Sequence, residues 1–209
     1  PLSIPEGAKS SFKTSWPSSS SKSGERCRRG DASRAVVIFD WDDTLLCTSF
    51  INAWGDDVPL PPKVAQHLEQ IAETARELLL HALQLGDTFI VTNATLSWVQ
   101  YSAEKYLPGL LPVLKQVGVI SARLDHQAEH PSMDEWKIQA FLQLGRNLEL
   151  GSARDLIVVG DSDNEMAAAA ALSASTAQTL HMKTVRLHSN PSPEDLMRQL
   201  QLLAYSFKS

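Results

Sequence analysis

Two short acidic clusters, Phe39-Asp40-Trp41-Asp42-Asp43-Thr44-Leu45 and Gly160-Asp161-Ser162-Asp163-Asn164-Glu165, hold the residues of this chain best suited to chemistry. Each follows a strand-like apolar run. Carboxylates crowded at the ends of two buried strands repel one another and drift toward protonation unless a cation sits between them, and a hard divalent ion such as Mg²⁺ is the simplest one. Asp40 is the first acid beyond its apolar run and Asp42 lies two residues on, so the turn between them can present one carboxylate forward and the other beside it. That arrangement suits a nucleophile with an acid-base partner. One carboxylate attacks phosphorus in line to form an acyl phosphate; the second protonates the departing oxygen and later deprotonates water. Acidic residues also punctuate ordinary loops, which is the plainer reading of either cluster taken alone.

Other positions fit the same chemistry. Thr92 ends a second apolar run, where its hydroxyl and the amide of Asn93 can hold phosphate oxygens; a cap or turn role is the plainer alternative. Lys137 falls near the start of a helical pattern, where a positive charge opposes the helix dipole by about 0.3–1 kcal/mol, and a nearby anion would explain it. Taken alone it reads as a solvated surface lysine.

The elements that must position these groups are read from apolar periodicity. Ala35-Val36-Val37-Ile38-Phe39 is continuously apolar and β-branched, as a strand covered on both faces requires. Pro61-Pro62 opens a long helical pattern with Val64, Leu68, Ile71, Ala75, Leu78, Leu79 and Ala82 on one face and Gly86 as its stop. A strand follows at Thr88–Val91, a helix over 97–106, a short helix from Pro108 to Lys115 and a modest strand over 117–120. Ser132-Met133-Asp134-Glu135 spells a capping box that opens a helix through Trp136, Ile138, Phe141 and Leu142 to about Gly145. Asp155–Val159 is the third clear strand, with a helix beginning near Asn164; a strand over 184–187 and a helix from Pro193 to Tyr205 close the chain. Strands alternating with helices predict a three-layer, Rossmann-like α/β domain with a mainly parallel sheet, whose ligand sites lie at the carboxyl ends of strands.

The assembled pattern resembles the haloacid dehalogenase (HAD) superfamily of phosphohydrolases, with counterparts to all four of its motifs, in order, between residues 36 and 165. The resemblance implies Asp40 as nucleophile, Asp42 as general acid and base, Thr92 as phosphate-binding hydroxyl and Lys137 as the cation that stabilises the transferring group. It further implies Mg²⁺ held by Asp161, the Asp40 carboxylate and the backbone carbonyl of Asp42, with Thr44 orienting Asp42. The last motif departs from the common pattern: the acid four residues after Asp161 is usually Asp and here is Glu165. Glu165 has two readings, a water-mediated metal contact or a capping box with Ser162. Asp163 is the other candidate, at a spacing that better suits a loop or cap, and Asp43 reads as a turn residue. The implied activity is phosphate monoester hydrolysis through an aspartyl-phosphate. Hydrolytic dehalogenation is disfavoured because those enzymes generally lack an acid at the position of Asp42. A phosphotransferase would use the same residues. A non-catalytic scaffold of the same fold usually signals itself by losing a nucleophile or metal acid, and here none is lost.

Domain organisation follows. Residues 1–33 hold ten serines among scattered basic residues and no apolar periodicity, which predicts a disordered tail; residues 34–209 form the catalytic domain. Superfamily members often carry a cap domain after the first or second motif, but residues 47–87 are filled by a loop and the long helix, and residues 96–131 by at most two helices and a strand. The domain therefore reads as capless or nearly so, open to a phosphoprotein or, with the 48–60 loop or a partner subunit as lid, to a phosphorylated small molecule. Trp41, Phe50, Trp54 and Trp98 either line the entrance or pack the core, the latter being commoner for aromatic residues.

Charge and composition exclude some partners. The formal net charge is −5, and since residues 1–34 hold seven Lys or Arg against three acids, the remainder carries −9, unsuited to gripping nucleic-acid backbones. A nucleic-acid arm would rest only on Arg26, Arg28, Arg29 and Arg34 near Lys22. No apolar run approaches the ~20 residues that cross a bilayer. Cys27 and Cys47 show no pair spacing of a metal or redox site, and the six histidines read as surface or core residues. These features predict a cytoplasmic setting, with organelle targeting by the Ser- and Arg-rich tail as the alternative.

Overall fold

The computed structural model describes residues 35–55, 58–130, 132–148, 155–176 and 180–207. The predicted tail, with Cys27 and its basic cluster, lies outside them. Five strands, β1 (Ala35–Phe39), β2 (Gly86–Thr92), β3 (Gly118–Ser121), β4 (Asp155–Gly160) and β5 (His181–Arg186), form one all-parallel sheet in the order β3-β2-β1-β4-β5. Every residue of β1 is buried, the outcome expected of a continuous apolar run in a central parallel strand.

The two-residue period of the strands sorts their side chains between two layers. Val37, Phe39, Ile90 and Val119 pack with α1 (Thr48–Trp54), α2 (Pro62–Leu85), α3 (Leu96–Tyr106), a 3-10 turn at Pro108–Leu110, α4 (Leu111–Leu114) and α8 (Pro193–Phe207). Val36, Ile38, Phe89, Val91 and Val158 face α5 (Ala122–His126), α6 (Met133–Asn147) and α7 (Asp163–Ser175). The buried faces of α2 and α8 lie against each other on the first side, and those of α6 and α7 on the second. Among the described residues no helix is long and apolar enough to cross a membrane.

Three local features differ from the sequence reading. The interval 48–60 is not all loop: Thr48–Trp54 is helical, and its start is tied by the Asp43 carboxylate, which accepts from Ser49 N at 2.9 Å and from the Ser49 hydroxyl. The Ser132/Glu135 capping box does not form. The helix begins there, but Ser132 makes no side-chain cap, and Glu135 turns to His130 Nδ1 at 3.0 Å. Gly86 does end α2, for a reason other than a left-handed cap. It is extended and opens β2 opposite Ala35, where a Cβ would meet Ala35 O at 1.8 Å.

Candidate active site

The register of the two central strands builds the site. Phe39 pairs with Val159, so Asp40 and Asp161 leave neighbouring strand ends at nearly the same level, and Asp40 N donates to Val159 O at 2.9 Å. From β1 the chain proceeds through α2 to β2 on one side, and from β4 through α7 to β5 on the other. The strand order therefore reverses between β1 and β4, where open α/β sheets leave a crevice for ligands.

Lys137 enters this crevice from α6. It is 3% exposed, with Nζ 2.9 Å from Asp40 Oδ1 and hydrogen-bonded to Glu165 Oε1. The other oxygen of Glu165 accepts from Ser162 N at 2.9 Å and Ser162 Oγ at 2.6 Å, completing the capping box of α7. Of the two readings of Glu165 the cap is thus realised, and the same side chain also holds Lys137. Gly160 makes room for it, since a Cβ there would lie 2.4 Å from Glu165 Cγ. Asp163 pairs instead with Arg186 on the exposed surface.

Electrostatics bears the mark of crowding. Burial, with help from Glu165 and Asp42 and against Lys137, pushes Asp40 up to about 7. Burial, then Glu165 and Asp43, pushes Asp161 up to about 6. Burial would lower Lys137, but Asp40 and Glu165 outweigh it and hold the ammonium above its usual range. Burial would likewise raise Glu165, yet Lys137 and Ser162 hold it below the usual carboxylate range. Asp40, Asp161 and Glu165 can each offer one oxygen within 4.8 Å of the others. Both oxygens of Glu165 are engaged, whereas Asp40 Oδ1 accepts no well-aligned hydrogen bond despite its contact with the ammonium. This donor set of hard carboxylates, three against one ammonium, fits a divalent cation between Asp40 and Asp161.

Asp42 faces the same crevice and is only half-buried. Its Oδ1 accepts from Thr48 Oγ1 at 2.7 Å and from Trp98 Nε1 at 2.8 Å; its Oδ2 has a long contact of 3.4 Å with Thr92 Oγ1. The predicted orienting role of Thr44 is not realised. Its hydroxyl is buried without a hydrogen-bond partner, because the turn that bonds Thr44 N to Trp41 O packs the side chain inward. Asp43 is a turn residue, with a φ of 54°, and caps α1. Thr92, fully buried, receives Ala94 N at 3.0 Å, and Asn93 Nδ2 reaches Met133 O at 3.5 Å.

Of the four aromatic candidates, Trp41 is core, with its indole donating to Ser102 Oγ at 3.0 Å. Phe50 and Trp54 stack on α1. Trp98 alone touches a candidate catalytic group. Thr48 and Trp98 as partners of Asp42 went unread in the sequence; the only signal was their place in the first turns of helices that follow the Asp40 and Thr92 segments. Comparison with known proteins finds no matching family model, no matching curated protein and no matching solved structure.

Proposed function

We propose that this chain is a Mg²⁺-dependent phosphatase that hydrolyses phosphate monoesters through an aspartyl-phosphate, as its resemblance to the haloacid dehalogenase superfamily implies. The observation that carries the reading is the buried Lys137 ammonium 2.9 Å from Asp40, with Asp42 two residues away on the same loop and Asp161 on the adjoining strand end. The cation would be held by Asp40, Asp161 and the carbonyl of Asp42, and when bound it supplies countercharge to the phosphoryl oxygens.

The residues themselves do the rest. An Asp40 carboxylate oxygen attacks phosphorus as the ester P–O bond breaks, and the leaving oxygen takes the proton carried by Asp42. Lys137 and the Thr92 hydroxyl hold the equatorial oxygens. Asp42, now a carboxylate, removes a proton from water, whose oxygen attacks phosphorus, breaks the acyl-phosphate bond and returns Asp40 to its starting form. The described helices between β1 and β2 are α1 and α2, with α2 against the sheet, and the substrate we propose is a phosphorylated small molecule or a phosphoprotein side chain. Nucleic acid is not among the partners we propose, and the setting we propose is cytoplasmic.

Purified protein incubated with 4-nitrophenyl phosphate and a phosphometabolite panel should release phosphate only with Mg²⁺ present, and acid-quenched enzyme should carry phosphate on Asp40. Asp40→Asn should lower turnover by more than about 10³-fold with the fold intact. Retained turnover in that variant would overturn the reading.

A further inference from the structure

We infer that Trp98 and Thr48 are positioning residues that dictate which oxygen of Asp42 carries the transferable proton, an inference that rests on the acid-base role of Asp42 proposed above. A carboxylic acid can carry its proton on either oxygen and can swing about its terminal bond. Only one orientation serves a leaving group fixed by the phosphate site. In this protein Oδ1 is occupied by two short donors, Thr48 Oγ1 at 2.7 Å and Trp98 Nε1 at 2.8 Å. An indole nitrogen donates and never accepts. A proton on Oδ1 would therefore oppose the indole N–H, donor against donor, which favours Oδ2 as the seat of the proton. That oxygen lies on the side of Thr92 Oγ1, the hydroxyl proposed to hold phosphate.

The lock is itself held in place. The side chain of Thr95 caps α3 by accepting from Trp98 N at 3.2 Å, and Trp98 O accepts from Ser102 Oγ at 2.7 Å. Ser102 Oγ in turn accepts from the indole of Trp41, the residue between Asp40 and Asp42. The loop that bears both acids is thus tied to α3 at two points, once through Trp41 and once through Asp42. Trp98 is 9% exposed, so its hydrogen bond is largely shielded from water, and it strengthens once Asp42 has given up its proton.

The test separates orientation from general damage. Trp98→Phe keeps a ring and removes the N–H; Thr48→Val keeps the shape and removes the hydroxyl. Each is assayed on benzyl phosphate, whose alkoxide must be protonated as it leaves, and on 4-nitrophenyl phosphate, whose leaving group needs no proton. Because kcat/KM reports the step in which the ester bond breaks, it should fall about 10- to 100-fold on benzyl phosphate and by less than about a third of that factor on 4-nitrophenyl phosphate. An equal fall on both esters, or no fall, in both variants overturns the inference. A second readout needs neither metal nor turnover. The indole proton of Trp98, assigned by its loss in Trp98→Phe, should shift and exchange faster with solvent in Asp42→Ala, and an unmoved resonance overturns the inference as well. Failure of Asp40→Asn to abolish hydrolysis would sink the phosphatase reading itself; an unchanged ester preference with Asp40→Asn inactive would sink only the role of Trp98 and Thr48.

Discussion

Without metal the site should weaken the fold as pH rises, and the size of the effect follows from Asp40. This carboxyl is 5% exposed and is pushed up to about 7 from an ordinary value of 3.8. Between those values the native state keeps a proton that the unfolded chain has released, so stability is lost as pH rises through the window and the penalty is complete above about 7. Each unit is worth about 1.4 kcal/mol, so the interval of about 2.5 units from pH 4.5 to 7 removes about 3 kcal/mol through Asp40. Asp161, pushed up to about 6, acts in the same direction over a narrower window. Glu165 runs the other way: its lowered value contributes stability above about 4.5 that is lost only at lower pH, beneath this window. His126, lowered by burial, opposes the trend as pH rises through its titration, so the difference from a variant is the cleaner quantity. Urea unfolding of metal-free wild type and Asp40→Asn from pH 4.5 to 7 should show the variant gaining about 3 kcal/mol on the wild type, since Asn cannot ionise. Added Mg²⁺ should close most of that gap at pH 7 by stabilising the wild type alone. Parallel stability curves for the two proteins, with and without metal, would refute the idea that burial, backed by Glu165 and Asp42, outweighs Lys137 at Asp40.

Two more substitutions probe the same cluster. Lys137→Met leaves Asp40 and Glu165 buried without their cation, so it should abolish phosphate release and remove about 3–5 kcal/mol of stability at pH 7.5, with a smaller loss at pH 5 where Asp40 takes up a proton; equal losses in thermal or urea melts at the two pH values would count against the pairing. Gly160→Ala puts a methyl 2.4 Å from Glu165 Cγ, a side chain held at its far end by Lys137 and Ser162, and should lower stability by about 1–3 kcal/mol. An unchanged melting temperature would show that Glu165 can leave its place freely.

How far such a site can be read from a sequence depends on the reach of each interaction. The runs at β1 and β4 were readable because a parallel strand buried on both faces has to be apolar throughout, and the acids that end them inherit their position from the sheet. Helix α1 was not readable. Its seven residues are too few to show a period, and its cap comes from Asp43 rather than from the adjacent Cys47. Local motifs mislead in a related way. Ser132-x-x-Glu135 and Ser162-x-x-Glu165 carry the same signature, yet only the second closes a capping box. Glu135 is exposed and has His130 within reach, whereas Glu165 is buried and an unpaired carboxylate there would carry a heavy desolvation penalty. The cap and Lys137, 28 residues upstream, satisfy it together.

The same difference of reach accounts for Trp98. Its partner Asp42 lies 56 positions away, and no spacing rule connects them. The sheet does. β1 and β2 pair in register, so the loops that leave their ends run side by side, and the first turns of α1 and α3 flank whatever the first loop presents. A side chain in either turn is thereby carried to the rim of the crevice whatever its type. What the local sequence decides is whether that side chain can donate, and in this chain both Thr48 and Trp98 can.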